Sequence, residues 1–383
     1  MFDLKINALT HAEFLKEYWQ KKPLLIKGGF ADFEDPIEPE ELAGLAMEDD
    51  IESRLITNHD DKWESYHGPF EDFSLLTETN STLLVQAVDH WHPVAAELLE
   101  PFRFIPNWRI DDLMISYSTP GGGVGPHLDQ YDVFIIQGEG KRHWRVGMPD
   151  ANLKEFAQNK SLLQVEQFNA IIDEVLEPGD ILYIPPGCPH EGYAVENALN
   201  YSVGFRAPDT KDFLSNFADY LIDNELGKTR YSDKTLTLRE SSGELKNDEV
   251  EQIQNLMLDA IQDKEVIKRW LGNYLSQPKH DMDLLPLDEP ISSDELANYL
   301  SSQVINRAGG VRTFFQSIED CLLLSVNNES FQFPFNTLSA VKLLTDKTSF
   351  AADEIISALE CLEFAEMLTK LINEGFYYIL EEE

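Results

Sequence analysis

The sequence has 383 residues and a formal net charge of −39, because 69 aspartates and glutamates outnumber 30 lysines and arginines. With 43% hydrophobic and 26% charged residues it has the composition of a globular protein rather than a disordered one, and its length suits about two or three domains. So strong a negative charge repels nucleic-acid phosphates and favours basic partners.

The cysteines and the apolar residues indicate where such a chain resides. Cys188, Cys321 and Cys361 are widely separated and odd in number, so they form neither a disulfide framework nor a zinc-ligand motif. The N-terminal residues MFDLKINALTHAEF lack the apolar stretch of a secretory signal, and no segment reaches the ~18 apolar residues of a membrane span. We therefore expect a soluble cytoplasmic protein with reduced thiols and no membrane partner.

The N-terminal part has a mixed pattern. Thr10 and Glu13 have the spacing of a capping box, and the apolar residues that follow recur at helical spacing, which predicts a helix over residues 10–19. Leu24–Ile26, between Pro23 and a glycine pair, reads as a strand. Two further helical segments are predicted, at Pro39–Met47 and Ser81–Glu100.

From about residue 111 the sequence is rich in short runs of β-branched and aromatic residues. Glycine and proline clusters separate these runs, at residues 120–126, 177–180 and 185–189. Many short strands with such boundaries are typical of an antiparallel barrel or jelly roll. The predicted strands are Leu113–Tyr117, Val133–Ile136, His143–Val146, Ile181–Ile184 and Tyr201–Phe205.

Helical spacing returns after Pro208. Asp209 and Thr210 begin one predicted helix, and a second runs from Val250 to Ile261, with a polar stretch at residues 226–247 between them. Two amphipathic helices that flank a solvated loop suit a dimerisation unit. Packing of the same helices against the barrel is the alternative, and the sequence leaves both open.

The last hundred residues mix helices and strands. A proline-rich linker, Pro278–Pro290, precedes them, and the order of elements resembles a winged helix. Many winged helices bind DNA, but residues 281–383 hold 5 lysines and arginines against 19 acidic residues, which excludes the phosphate contacts that dominate DNA affinity. We interpret this part as a protein-contact or packing module. Its predicted elements are a helix at Ser293–Leu300, a hairpin of Leu322–Val326 and Phe331–Phe335, and helices at Leu338–Leu344 and Ala351–Leu362.

Three residues of the barrel region have the chemistry of a metal site. His127 and Asp129 are two positions apart, so on a strand their side chains face the same side. His190 follows 63 positions after His127 and can complete a set of two imidazoles and one carboxylate. Such a set leaves adjacent coordination positions open, as in non-haem Fe(II) oxygenases. A lone His-x-Asp pair is common and carries little weight by itself.

The surrounding motifs make the metal site more specific. PGDILYIPPGCPH, which ends at His190, is similar to the second cupin motif, and PHLDQYDVFIIQGEGKRHWRV contains His127 and Asp129. Together they resemble the JmjC oxygenases. The KKPLLIKGGF and LNYSVGFRAP segments extend the likeness over most of the chain, to the bacterial ribosomal oxygenases that hydroxylate an arginine of large-subunit ribosomal protein sixteen.

The resemblance implies an organisation and a set of cofactors. Residues 1–207 would form a JmjC domain with a double-stranded β-helix from about residue 96, residues 208–275 a helical region able to dimerise, and residues 276–383 an acidic winged-helix-like domain. Fe(II) would be held by His127, Asp129 and His190, with 2-oxoglutarate and O₂ as cosubstrates. No side chain would act as nucleophile, because the hard chemistry belongs to the metal.

The cosubstrate needs a cation for its distal carboxylate. The family places a basic residue fifteen positions after the first metal histidine, which is Arg142 here, with Lys141 and Arg145 as alternatives. Ser116 and Ser202 are further candidates for hydrogen bonds in this pocket, although either could bond a neighbouring strand instead. Asn200 shares a face with Ser202, and we interpret it as a strand-edge residue.

The resemblance also implies the substrate. A basic protein, a ribosomal protein hydroxylated on the β-carbon of an arginine, is the expected partner, and the charge of −39 agrees with it. Demethylation of N-methyl-lysine is the alternative within the oxygenases. A non-redox metal-binding cupin and a scaffold protein with a relic site are the alternatives outside them.

Overall fold

The computed structural model describes residues 2–59, 62–157 and 162–380. Its helices, in chain order, are α1 (His11–Glu17), α2 (Pro39–Leu45), α3 (Pro93–Ala96), α4 (Thr210–Asp223), α5 (Asn247–Gln262), α6 (Lys264–Ser276), α7 (Leu296–Tyr299), α8 (Leu338–Asp346) and α9 (Leu362–Asn373). Within this part of the chain, no helix combines the length and the apolar character needed to cross a membrane.

The strands of the first two hundred residues form two main antiparallel sheets. They are β1 (Leu24–Ile26), β2 (Ser53–His59), β3 (Lys62–His67), β4 (Ser81–Val85), β5 (Ile110–Ser118), β6 (Val133–Gln137), β7 (Arg142–Gly147), β8 (Glu155–Ala157), β9 (Leu163–Val165), β10 (Ala170–Leu176), β11 (Ile181–Ile184), β12 (His190–Ala194) and β13 (Ala198–Phe205). The larger sheet has the order β1-β11-β6-β13-β5-β4-β2-β3, the smaller β10-β7-β12, and β8 pairs with β9.

Two apolar layers hold this barrel together. One cluster contains Val133 and Leu182 of the larger sheet with Val146 and Leu176 of the smaller, so the two sheets face each other across it. A second and larger cluster covers the outer face of the larger sheet, where Phe14 of α1 packs against it. The predicted strands of this region are all present, and the jelly-roll barrel is confirmed.

Helix α1 begins as its sequence predicts. The Glu13 amide donates to the Thr10 hydroxyl over 3.2 Å, and the Thr10 amide donates to the Glu13 carboxylate over 2.8 Å. This reciprocal pair satisfies two backbone donors that a helix N-terminus otherwise leaves free.

The C-terminal part has its own core. Its strands are β14 (Val304–Arg307), β15 (Thr313–Ser317), β16 (Leu322–Val326), β17 (Glu329–Phe333), β18 (Ser349–Ala351) and β19 (Tyr377–Ile379), in sheets β15-β16-β17 and β18-β14-β19. Asn327 and Asn328 both have positive φ, of 45° and 68°, and join β16 to β17 in the predicted hairpin. Helices α8 and α9 complete the apolar cluster of this part.

Several predicted elements are wrong or incomplete. Ser81–Glu100 is not helical throughout, because Ser81–Val85 is the buried strand β4, which pairs on both edges, and only short helical turns follow. Ala351–Leu362 holds two 3-10 turns instead of a helix, since Ala351 pairs with Val304 in β18, and α9 starts at Leu362. Helix α7 is shorter than predicted. The sequence interpretation also missed β2, β3 and α6.

The helical region that follows the barrel packs against the C-terminal part through α6. Helix α4 has the predicted cap, since the Asp212 amide donates to Asp209 over 2.8 Å, and α5 follows after the predicted polar stretch. Helix α6 lies against the C-terminal hairpin, where Ser330 donates to Asn273 over 2.6 Å and the Asn328 amide donates to Ser276 over 2.9 Å. The domain boundaries at residues 207 and 275 stay predictions.

Candidate functional site

The three predicted metal ligands meet at one end of the barrel. His127 and His190 form an isolated antiparallel bridge, in which the His127 amide donates to the His190 carbonyl over 3.0 Å and the His190 amide donates back over 2.8 Å. The Asp129 carbonyl accepts the Gly187 amide over 2.7 Å. The strand expected through residues 127–129 is therefore a single bridge at His127, and the turn before β12 holds Asp129 in place.

The ligand atoms lie close enough to share one ion. Asp129 Oδ2 is 3.9 Å from His127 Nε2 and 3.7 Å from His190 Nε2, and the three ligand atoms all lie within 4.8 Å of one another. Two imidazole nitrogens and one carboxylate oxygen are the donor set of a facial triad.

The hydrogen bonds of the two imidazoles orient their Nε2 atoms for metal binding. His127 Nδ1 lies 3.0 Å from the Gly125 carbonyl, and His190 Nδ1 lies 3.0 Å from the Cys188 carbonyl. A carbonyl only accepts, so each Nδ1 carries the proton and each Nε2 keeps a free lone pair. Burial lowers the pKa of His190 to about 4, with the neighbouring His127 acting in the same direction, which keeps that ligand neutral.

A buried cation lies deeper in the same cavity. The Arg142 side chain is 3% exposed and donates from Nη1 to Ser118 Oγ and Asn200 Oδ1, both over 3.2 Å, and from Nη2 to the Gly192 carbonyl over 3.1 Å. Burial lowers its pKa to about 10. Among the described residues no carboxylate pairs with this guanidinium, so its charge is left for an anion that enters the cavity.

The two alternative cations lie elsewhere. Lys141 is half-buried and pairs with Glu177 over 2.6 Å. Arg145 pairs with Glu191 and Asp173 on the outer side of the smaller sheet. Neither lines the cavity, so of the three basic residues in this segment Arg142 alone is placed to meet a cosubstrate.

The polar residues around Arg142 include one that the sequence interpretation misjudged. Ser116 and Ser202 line the cavity as expected. Asn200 also lines it and is 1% exposed, because β13 lies in the middle of the larger sheet, between β5 and β6. Its interpretation as a strand-edge residue was wrong. The signal was present, since a buried strand that carries an amide needs partners for it; here Asn200 Nδ2 donates to Gln137 Oε1 over 2.9 Å.

The cavity has a volume of about 690 Å³ and a mixed lining. Its apolar lining residues are Ile56, Leu84, Met114, Val124, Leu162 and Leu163. Charged residues line it too, and one of them, Asp111, is held by Arg312 over 2.8 Å, Lys279 over 3.1 Å and Arg206 over 3.2 Å. These cations keep the pKa of Asp111 well below its usual range in spite of its burial.

Asp112, the next residue on β5, has far fewer partners. Its Oδ2 accepts the Ala87 amide over 3.1 Å and lies 3.8 Å from His280 Nε2. Burial, together with the charges of Asp111 and Asp89, raises the pKa of Asp112 to about 7. A carboxyl in this state becomes a stronger acid when a cation binds beside it, so Asp112 is a candidate partner for a cationic side chain.

Comparison with known proteins identifies related chains. A model of the JmjC domain matches residues 97–213, and a model of the ROXA-like winged helix matches residues 259–378. The ribosomal protein uL16 3-hydroxylase of Escherichia coli is 49% identical to this chain, covering 97% of it and 98% of that protein. A probable ribosomal oxygenase of Haemophilus influenzae is 34% identical, over 84% of this chain and 80% of that protein. The solved structure of an Escherichia coli ribosomal oxygenase with cobalt and 2-oxoglutarate has a TM-score of 0.90 at 47% identity and covers 100% of both chains.

Proposed function

The chain belongs to the ribosomal-oxygenase family of JmjC proteins, and from this we propose that it hydroxylates ribosomal protein uL16 on an arginine side chain. The family assignment confirms the resemblance and the fold class predicted from the sequence. The enzyme is an Fe(II)- and 2-oxoglutarate-dependent oxygenase.

We assign the metal to His127, Asp129 and His190. Their free Nε2 lone pairs and carboxylate oxygen converge within 4.8 Å, which is the observation on which the assignment depends. Bound iron supplies a centre at which O₂ and 2-oxoglutarate react to give succinate and CO₂, while one C–H bond of the target becomes a C–OH group. The protein's own part is to fix the tautomer and the orientation of both imidazoles through the Gly125 and Cys188 carbonyls.

We assign the distal carboxylate of 2-oxoglutarate to Arg142. The guanidinium is buried, lacks a carboxylate among the described residues, and lies in the cavity that contains the metal ligands. A cation so placed is costly unless an anion joins it, and a dicarboxylate supplies one. Asn200 and Ser118 orient the guanidinium, and Ser116 and Ser202 are candidate donors on the adjoining wall.

An acidic residue of the cavity lining supports a cationic target. Asp112 is buried, lines the cavity and is not paired with a lysine or arginine in the described residues, unlike Asp111 beside it. If the target arginine lies beside Asp112, its guanidinium can donate two hydrogen bonds to the Asp112 carboxylate. A relative named for 3-hydroxylation of uL16 supports this ribosomal protein as the polypeptide that carries the arginine.

We also propose that α5 forms a homodimer. Four of its apolar residues, Val250, Ile253, Met257 and Ile261, form one stripe at helical spacing, and all four are exposed, Met257 by 65%. A 16-residue helix that has no fully buried residue gains little from its apolar face in a single chain. A second copy of the same helix would cover it.

The cysteines are unpaired, which agrees with a cytoplasmic location.

The function is tested by incubating the enzyme with Fe(II), 2-oxoglutarate and recombinant uL16. Succinate release should depend on uL16, and the mass of uL16 should rise by one oxygen atom, located on an arginine by fragmentation. His127→Ala should abolish both signals. His143→Ala is the matched control, because this histidine lies on the outer side of β7, paired with Asp173 over 2.6 Å.

A further inference from the structure

One cation of the substrate cavity has no acceptor among the described residues. Arg54 of β2 lines the cavity, its Nε atom is buried without a hydrogen bond, and no described residue forms an ion pair with it. The other lysines and arginines that line the cavity have acceptors: Arg142 donates from both Nη atoms, although its Nε has no hydrogen bond, and both Arg206 and Lys279 bind Asp111.

The position of Arg54 is fixed by the register of the larger sheet. Arg54 pairs with Leu84 of β4, and Leu84 pairs with Ser116 of β5. Directly paired residues face the same side of a sheet, so Arg54 lies on the cavity face, in one row with Ser116. Ile56 lines the cavity too, whereas Leu55 between them packs in the core on the opposite face.

The absence of a partner is notable because acidic residues are abundant. The chain has 69 of them, and an arginine on most of its surface would find one. A partly buried guanidinium whose Nε has no acceptor is unfavourable by itself and becomes favourable when a ligand supplies an oxygen. Arg142 accounts for 2-oxoglutarate, so the acceptor for Arg54 must come from the polypeptide.

We propose that Arg54 is a specificity residue for the polypeptide substrate, and that it binds an oxygen acceptor near the hydroxylated residue. The acceptor is either a carboxylate side chain or a main-chain carbonyl. Arg54 and Ser116 are two strands apart, or about 10 Å, and an extended segment covers that distance in about three residues. This inference rests on the proposed function, and it adds a second point of contact to the one made by the target side chain.

The test is a comparison of Michaelis constants with uL16 as substrate. Arg54→Gln, which keeps a polar side chain but loses the charge, should raise the KM for uL16 by about 10-fold or more, the loss expected for a charge-assisted hydrogen bond, and the KM for 2-oxoglutarate should stay within about twofold. Arg54→Lys should have an intermediate effect. Lys62→Gln on the neighbouring β3 is the control, because Lys62 is exposed and paired with Glu64.

The outcomes separate this inference from the proposed function. A wild-type KM for uL16 in folded Arg54→Gln, with thermal unfolding as the check, would overturn the role of Arg54 alone; were that variant unfolded, a wild-type KM in Arg54→Lys would have the same meaning. No hydroxylation of uL16 by the unaltered enzyme would overturn both. The source of the acceptor is found with uL16 variants in which each acidic residue near the target is replaced by its amide. If Arg54→Gln no longer raises the KM for one of these variants, the acceptor is the carboxylate that this variant lacks. If Arg54→Gln raises the KM for all of them, the acceptor is a main-chain carbonyl.

Discussion

Asn200 connects Arg142, the proposed cosubstrate ligand, to the rest of the barrel. Its Oδ1 accepts from Arg142 Nη1 over 3.2 Å, and its Nδ2 donates to Gln137 Oε1 over 2.9 Å, so one amide joins β7 of the smaller sheet to β6 of the larger. Gln137 is itself fully buried. These bonds orient the Arg142 guanidinium before any ligand enters. Because the Asn200 amide is neutral, the positive charge of Arg142 stays unpaired.

Asn200→Ala should therefore weaken cosubstrate binding without touching the metal. The change leaves Arg142 Nη1 with Ser118 as its remaining acceptor and removes the donor to the buried Gln137 Oε1, which costs about 1–3 kcal/mol of stability. We expect the KM for 2-oxoglutarate to rise about 10-fold and the Fe(II) affinity to stay within about twofold. Steady-state kinetics and metal titration measure the two. Equal losses in both constants would mean a general disruption of the barrel and contradict a positioning role.

Replacement of Arg142 should impair the use of 2-oxoglutarate more strongly than Asn200→Ala does. Arg142→Ala removes the cation for the distal carboxylate, and we expect 2-oxoglutarate turnover to lose about 100-fold in kcat/KM, while Arg142→Lys retains part of it as a point charge. Arg145→Ala is the matched control, since Arg145 lies on the same strand but pairs with Glu191 outside the cavity. A smaller loss in Arg142→Ala than in Arg145→Ala would reverse the assignment.

These assignments show what the sequence could and could not predict. The capping box of Thr10 and Glu13 and the hairpin at Asn327 depend on local chemistry at short spacing, and both were found as expected. The three predicted metal ligands come from longer motifs, and their ligand atoms lie within 4.8 Å of one another. Ser81–Val85 was read as helix because its strand pairing is with β2 and β5, residues that a local pattern does not include. Asn200 was misjudged for the same reason: its partners come from β6 and β7.

The pH dependence of substrate use should depend on Asp112. With its pKa raised to about 7, this carboxyl is neutral in more acidic solution and attracts a cationic side chain only once it ionises. The kcat/KM for uL16 should therefore rise with pH between about 6 and 8, by up to about 10-fold for each pH unit below the pKa. In Asp112→Asn the value should be low and lack this rise. A rise that persists in the variant would exclude Asp112 as its source.

The stability of the fold gives an independent check of that pKa. A carboxyl whose pKa is higher in the folded than in the unfolded chain favours folding when protonated, and that contribution is lost as pH rises through about 7. Asp112→Asn stays neutral, so its stability relative to the wild type should increase as pH rises from about 4 to 8. Thermal unfolding measures this, and a constant difference across the range would mean an unshifted pKa.

The proposed dimer predicts a change of mass from one substitution. Met257→Asp places a charge in the exposed apolar stripe of α5, and we expect light scattering to show half the wild-type mass at the same concentration. Glu251→Ala, a change at an exposed position of the same helix outside the apolar stripe, should leave the dimer intact. A wild-type protein with the mass of one chain would contradict the proposal directly.

The most direct test of the central claim is succinate release from 2-oxoglutarate with Fe(II), O₂ and uL16, read together with the mass of uL16. We predict that succinate and hydroxylated uL16 form in equal amounts, that both vanish without O₂ and in His127→Ala, and that both persist in His143→Ala. Full succinate release by His127→Ala, or hydroxylation of uL16 without 2-oxoglutarate, would contradict the assignment of the metal and the cosubstrate to this cavity.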